Sequence, residues 1–230
     1  SLATSSKATC LDTSALISFY LASSSAPVDS YVDYWLKGMC AQSPCTNKTI
    51  AYLVTTAVDG CAADLTNYGL PNNTDELTSL AQQYYPTVRE IACFTCNNTR
   101  CVTETLDNLQ TVTGTITKAN AIDIGVSIAN GTIKLPSNVT CTNCTKEAYN
   151  LVEENHPNLI TSGINNTIVN QCGSSFVDGV EPTTINQTAD AAVSSASTDA
   201  SGALGLSMNT ALGIAVSSFV VLSSTVALLA

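Results

Sequence analysis

The chain has 230 residues, 18 acidic against 8 basic side chains and a formal net charge of −10; 45% of its residues are hydrophobic and only 11% charged. The acidic balance excludes nonspecific binding to a phosphate backbone, which depends on clustered Lys and Arg. The apolar fraction excludes a wholly disordered chain, and the length fits one ordinary domain or two small ones.

Helical spacing dominates the first 175 residues. Val28, Tyr31, Val32, Trp35 and Met39 fall at i, i+3, i+4, i+7 and i+11 behind Pro27, which suits a first helical turn. Ile50, Leu53, Val54, Ala57, Val58 and Cys61 repeat the pattern after Pro44, and Leu77, Leu80, Ala81, Tyr84, Val88 and Ile91 repeat it again. Asn73 and Glu76 have capping-box spacing ahead of that run, and Pro86 predicts a kink or break within it. Val102, Leu106, Leu109 and Val112 make a further stripe. Residues 120–136, rich in Ile, Val and Gly, fit either a helix or two short extended pieces. Ala148, Leu151 and Val152 belong to a helix that Pro157 ends, and 159–172 reads as the last one. The expected fold is all-α: a disulfide-stapled bundle of six to eight short helices.

From Gly179 to Ser201 the composition shifts to Ala, Ser and Thr, without aromatics or Cys. Such a segment cannot bury a core and reads as a disordered, O-glycosylated stalk. The last ionisable side chain is Asp199, and Thr210–Ala230 is dominated by Ala, Leu, Val, Ile and Phe. Small residues at 200–203, a short spacer and an apolar tail without a following Lys or Arg form the pattern of a glycosylphosphatidylinositol (GPI) attachment signal. Ser201 is the expected attachment residue, with Ala200 and Gly202 as alternatives. The division is then a cysteine-rich ectodomain over 1–178, a stalk over 179–201 and a propeptide over 202–230 that maturation removes. The start at Ser1-Leu2-Ala3 is expected to follow removal of a signal peptide.

Ten cysteines, Cys10, Cys40, Cys45, Cys61, Cys93, Cys96, Cys101, Cys141, Cys144 and Cys172, are expected to form up to five disulfides in an oxidising compartment. Cys45 and Cys61 flank one helix of about 22 Å, which one bridge cannot span. Cys10 is expected to meet Cys40 or Cys45. Eight Asn-x-Thr sequons start at Asn47, Asn72, Asn97, Asn130, Asn138, Asn143, Asn165 and Asn186. Together they predict a sugar-coated surface.

Met39-Cys40-Ala41-Gln42-Ser43-Pro44-Cys45, Gly60-Cys61-Ala62-Ala63-Asp64-Leu65, Val88-Arg89-Glu90-Ile91-Ala92-Cys93 and Cys101-Val102-Thr103-Glu104-Thr105-Leu106 carry a resemblance. The chain resembles fungal secreted, GPI-anchored, cysteine-rich proteins over most of residues 10–175. That resemblance implies a helical domain without assigned function, and no catalytic residues to carry over. The spacing Cys40-x4-Cys45-x15-Cys61 is also similar to the central spacing of elicitins, helical disulfide proteins that carry sterols and lipids.

Catalytic and metal chemistry finds few candidates. Cys93-x2-Cys96 with Cys141-x2-Cys144 has zinc-ligand spacing, but an oxidising compartment turns such pairs into disulfides. His156, the single histidine, precedes Pro157 at a helix end without a nucleophile-elbow motif, and reads as a solvent-facing helix-end residue. Adjacent carboxylates such as Glu153 and Glu154 point about 100° apart on a helix and make no catalytic pair. Trp35 with Tyr31, Tyr34 and Met39 reads as core, or as the lining of a lipid pocket. The expectation is a non-enzymatic, GPI-anchored glycoprotein on the extracellular face of the plasma membrane or in the cell wall, structural or adhesive, with neither cofactor nor metal. Its partners would be the outer leaflet through the GPI lipid, and cell-wall polysaccharide. The alternative is an extracellular carrier of a small lipid or sterol.

Overall fold

A computed structural model describes residues 6–67 and 73–189. Ser201, the propeptide and the sequon at Asn72 lie outside the described residues. Among those that are described, the chain forms nine α-helices and one small sheet. After 3-10 turns at Ser6–Leu11 and Thr13–Leu16 come α1 (Ile17–Leu21), α2 (Asp29–Cys40), α3 (Asn47–Asn67) and α4 (Thr74–Ala92). A hairpin of β1 (Phe94–Cys96) and β2 (Thr99–Arg100) leads into α5 (Cys101–Thr113), α6 (Ala121–Ala129), α7 (Ser137–Thr140), α8 (Asn143–Asn155) and α9 (Ser162–Cys172). Strand β3 (Ile185–Gln187) closes the described part. The fold is the expected disulfide-stapled, mostly helical bundle. Its count exceeds six to eight because α1 and α7 are single turns of 5 and 4 residues, too short to show a period. Residues 120–136, open between two readings, contain helix α6.

The main core forms around α2. Val32, Trp35, Leu36 and Met39 occupy one face of that helix and are buried, Leu36 completely. They join Leu106 and Leu109 of α5, Ile124 and Ile128 of α6, and Val139 of α7. Burying each such side chain contributes about 1.5–3 kcal/mol. The Trp35 indole N–H donates to the Leu11 carbonyl at 2.6 Å, so its polar edge is satisfied inside the core.

The first part of α3 packs against the middle of α4, and a second cluster forms where Ile50 and Leu53 meet Ala81 and Tyr85. Gln82 Nε2 donates to the Asn47 carbonyl at 2.9 Å, and the Cys45 N–H donates to the Tyr85 hydroxyl at 2.9 Å. The expected break at Pro86 does not occur: α4 is one helix across it. Proline costs a helix interior roughly 3 kcal/mol. Packing on both sides outweighs that here, with Ala81 and Tyr85 against α3 and Thr87, Arg89, Ile91 and Ala92 buried.

The sheet is a departure from the all-helical expectation. Asn97 and Asn98 sit at φ 50° and 68°, the left-handed pair that a tight two-residue hairpin requires. β3 then pairs antiparallel to β1, with Phe94 opposite Gln187, Thr95 opposite Asn186 and Cys96 opposite Ile185. Thr188 donates to the Cys93 carbonyl through both its N–H (3.1 Å) and its hydroxyl (2.6 Å). The folded part therefore continues to Ala189, past the boundary at 178. Composition misplaced that boundary because a strand edge recruits a polar segment through backbone hydrogen bonds, without an apolar face.

Candidate functional site: cysteine framework and sequon surface

Among the described residues four disulfides tie the elements together. Cys10–Cys45 joins the first 3-10 turn to the entry of α3, and Cys40–Cys93 joins the C-terminal ends of α2 and α4. Cys101–Cys144 joins the N-terminal turns of α5 and α8, and Cys141–Cys172 fastens the start of α8 to the end of α9. Of the two candidate partners of Cys10, the fold selects Cys45. The four cysteines with zinc-ligand spacing do not form a set of four thiolates, since Cys93, Cys141 and Cys144 each bond to a different partner.

Cys96 departs from the expected disulfide set: it is a buried free thiol at the end of β1. Its neighbour is a sulfur already engaged: the ligand atoms of Cys96, Glu104 and Cys144 all lie within 4.8 Å of one another. Cys144 is oxidised, so this group offers a metal only a thiol and a carboxylate. Cys61 stands in the second half of α3, about 21 Å along the helix from Asn47. Its side chain lies outside the described residues. The Asn47–Gln82 contact means that α4 leads the chain toward Cys96 in the opposite direction, so the two cysteines are far apart.

The sequon asparagines are distributed over the molecule: Asn47 opens α3, Asn97 sits at the hairpin tip and Asn130 follows α6. Asn138 lies in α7, Asn143 opens α8, Asn165 lies in α9 and Asn186 is the middle residue of β3. Of these seven, six are exposed and Asn165 is half-buried, with its Oδ1 accepting from the Tyr149 hydroxyl at 3.4 Å. Asn130 Oδ1 accepts from both the N–H (3.0 Å) and the hydroxyl (2.6 Å) of Thr132, which closes the sequon into a local turn. Asn143 is engaged, its Nδ2 donating to Thr184 Oγ1 at 3.0 Å.

His156 follows α8 as expected, but instead of facing solvent it is half-buried against α4. Its Nε2 lies 3.0 Å from Thr87 Oγ1, which also accepts from Asn155 Nδ2 at 3.2 Å. Its ring meets Tyr84 edge-on with centroids 4.7 Å apart. Burial holds its pKa below the usual value. The ring is oriented by a hydroxyl rather than by a carboxylate, and that hydroxyl belongs to a buried residue, so the pair ties α4 to α8. Glu153 Oε1 accepts from the Tyr149 hydroxyl at 3.5 Å, and Glu154 is exposed. In the aromatic group around Trp35, Trp35 and Met39 are core, Tyr31 stacks at a tilt on Phe19 at 5.3 Å, and Tyr34 points to solvent. Among the described residues no helix is long and apolar enough to cross a membrane.

Comparison with protein-family models, with curated proteins and with solved structures finds no match in any of the three.

Proposed function

We propose that the chain is a non-enzymatic glycoprotein of the outer cell surface. A GPI lipid attached at or beside Ser201 holds it to the outer leaflet, and its stapled bundle has a structural or adhesive role in the surface or wall. The observation that carries this reading is the placement of the sequons: six of the seven described asparagines are exposed, on six different elements or turns. A coat so distributed leaves little uninterrupted surface for a substrate cleft and suits a solvated spacer or wall component. The four disulfides and the acidic net charge agree with an oxidising exterior, where both favour a stable and soluble domain. The small residues at 200–203 and the apolar stretch after them support the lipid attachment.

The test is expression of the full chain behind a secretion signal in a eukaryotic host. Treatment of intact cells with phosphatidylinositol-specific phospholipase C is expected to release the protein. Removal of N-glycans is expected to lower its apparent mass in several steps. Retention on the cells after lipase treatment, or an unchanged mass, would overturn the reading.

A further inference from the structure

Cys96 and the Cys101–Cys144 bridge converge because the hairpin turns the chain back on itself. Cys96 is the last residue of β1 and Cys101 the first of α5, separated by the tight turn and β2. Cys144, the second residue of α8, reaches the same place from across the bundle. All three are buried, at 8%, 5% and 3% exposure. Glu104 stands one helical turn after Cys101 and points its carboxyl at the bridge, with Oε2 3.5 Å from Cys144 Sγ. A disulfide sulfur carries no proton to donate, so the Glu104 carboxylate remains able to accept one from the third sulfur. Burial raises the Glu104 pKa, which makes its carboxylate a stronger base toward a thiol. The Cys96 sulfur receives the Asn97 Nδ2–H at 3.7 Å and lies 3.5 Å from the Thr184 hydroxyl.

We propose that these three sulfurs form an internal exchange site, in which Cys144 bonds either to Cys101 or to Cys96. The Cys96 thiol gives its proton to the Glu104 carboxylate and its sulfur attacks Cys144 Sγ. The Cys101–Cys144 bond breaks, and Cys101 leaves as a thiolate. That thiolate then takes the proton back from Glu104. One disulfide and one thiol are present before and after, so no oxidant or reductant is consumed. Cys101 stands at the first position of α5, where the helix N-terminus favours negative charge on a leaving sulfur. Cys96 Sγ lies within 4.8 Å of Cys144 Sγ, and a change of rotamer displaces a cysteine sulfur by roughly 3 Å, the order of movement that bonding requires. Burial keeps small thiols in solution away from all three sulfurs, so the exchange is intramolecular. In the alternative state β1, and with it the β3 segment, is covalently tied to α8.

The experiment maps disulfides in the secreted full-length protein, incubated without reductant at mildly alkaline pH, quenched in acid, alkylated and digested. The expected result is two linked peptides, Cys101–Cys144 and Cys96–Cys144, with alkylation divided between Cys96 and Cys101. In Cys101→Ser, Cys144 is expected to be bonded to Cys96; in Cys96→Ser, the Cys101–Cys144 peptide remains the single form. A folded Cys101→Ser protein in which Cys96 and Cys144 are both alkylated would overturn the proposal. If Cys101→Ser fails to fold, the wild-type map decides: Cys96 wholly alkylated and Cys144 wholly bonded to Cys101 overturns it. Glu104→Gln is expected to slow the exchange by about 10-fold or more. A wild-type rate in that variant would overturn the assignment of the proton to Glu104.

Discussion

Arg89 is 1% exposed and sits near the C-terminal end of α4 among apolar side chains. Its Nη2 donates to the Gln42 carbonyl in the loop after α2, which fastens that loop to the helix. Nε and Nη1 are buried without a hydrogen-bond partner among the described residues. The guanidinium lies beside the Tyr85 hydroxyl, whose pKa burial raises against the opposing pull of the Cys45 N–H and of Arg89 itself. A buried charge with unsatisfied donors is expensive, and an apolar side chain of similar volume often replaces it at no loss or at a gain of 1–4 kcal/mol. Gln42 is exposed, so water can take over its carbonyl. Arg89→Met is therefore expected to unfold at or above the wild-type temperature. Arg89→Ala, which leaves a cavity, is expected to lose about 3 kcal/mol. Thermal unfolding of the two variants separates charge from volume. A fall of more than about 5 °C in Arg89→Met would mean that the charge itself stabilises the fold.

At the scale of elements, Asn73 shows how far sequence reasoning reaches. Its Oδ1 accepts from the N–H groups of Asp75 and Glu76, as the capping-box spacing requires, and it is the N-cap of α4. Asn73→Ala keeps the Asn72 sequon but is expected to cost about 1 kcal/mol. The loss should be read first as faster amide exchange in the opening turn of α4, ahead of any change in the α2 core. Protection lost evenly throughout the molecule would count against a local cap. The helices with a clear apolar period were legible for the same reason as this cap: each depends on residues close in sequence. What was not legible depends on partners distant in sequence. Nothing local says that Pro86 is held inside α4 by packing on both sides of it. The Asn97-Asn98 pair was an available hairpin signal, hidden because no alternating run flanks it. β3 exists only because β1 offers an edge. The cysteine count was legible and the pairing was not, since Cys96 and Cys144 meet through a turn and a bundle that spacing does not encode.

For the molecule as a whole, the charge balance makes stability depend on pH in a direction that can be worked out. Glu90, Glu104 and Glu147 all have pKa values raised by burial, with Glu154 adding to the effect at Glu90 and Glu181 at Glu147. The folded state therefore holds protons on these groups more tightly than the unfolded chain does. Their contribution to stability is fully present below the ordinary Glu value of about 4.5 and is lost as pH rises through the raised values. His156 works the other way. Its pKa is lowered by burial, so its contribution is present above about 6.5 and lost as pH falls through the lowered value. Asp178, lowered by its contact with Lys146, acts only near and below its ordinary range of about 3.8. These groups are at most partly buried, so each effect is small, but three carboxyls oppose one imidazole. Protonation also relieves the repulsion of a chain at −10. The unfolding temperature is therefore expected to be higher at about pH 5 than at pH 7 at constant ionic strength. Glu90→Gln with Glu147→Gln is expected to raise the value at pH 7 and to flatten the slope between the two. An unfolding temperature that drops from pH 7 to pH 5 would place the dominant titration on His156 instead, and a double variant that keeps the wild-type slope would place it on other carboxyls such as Glu104.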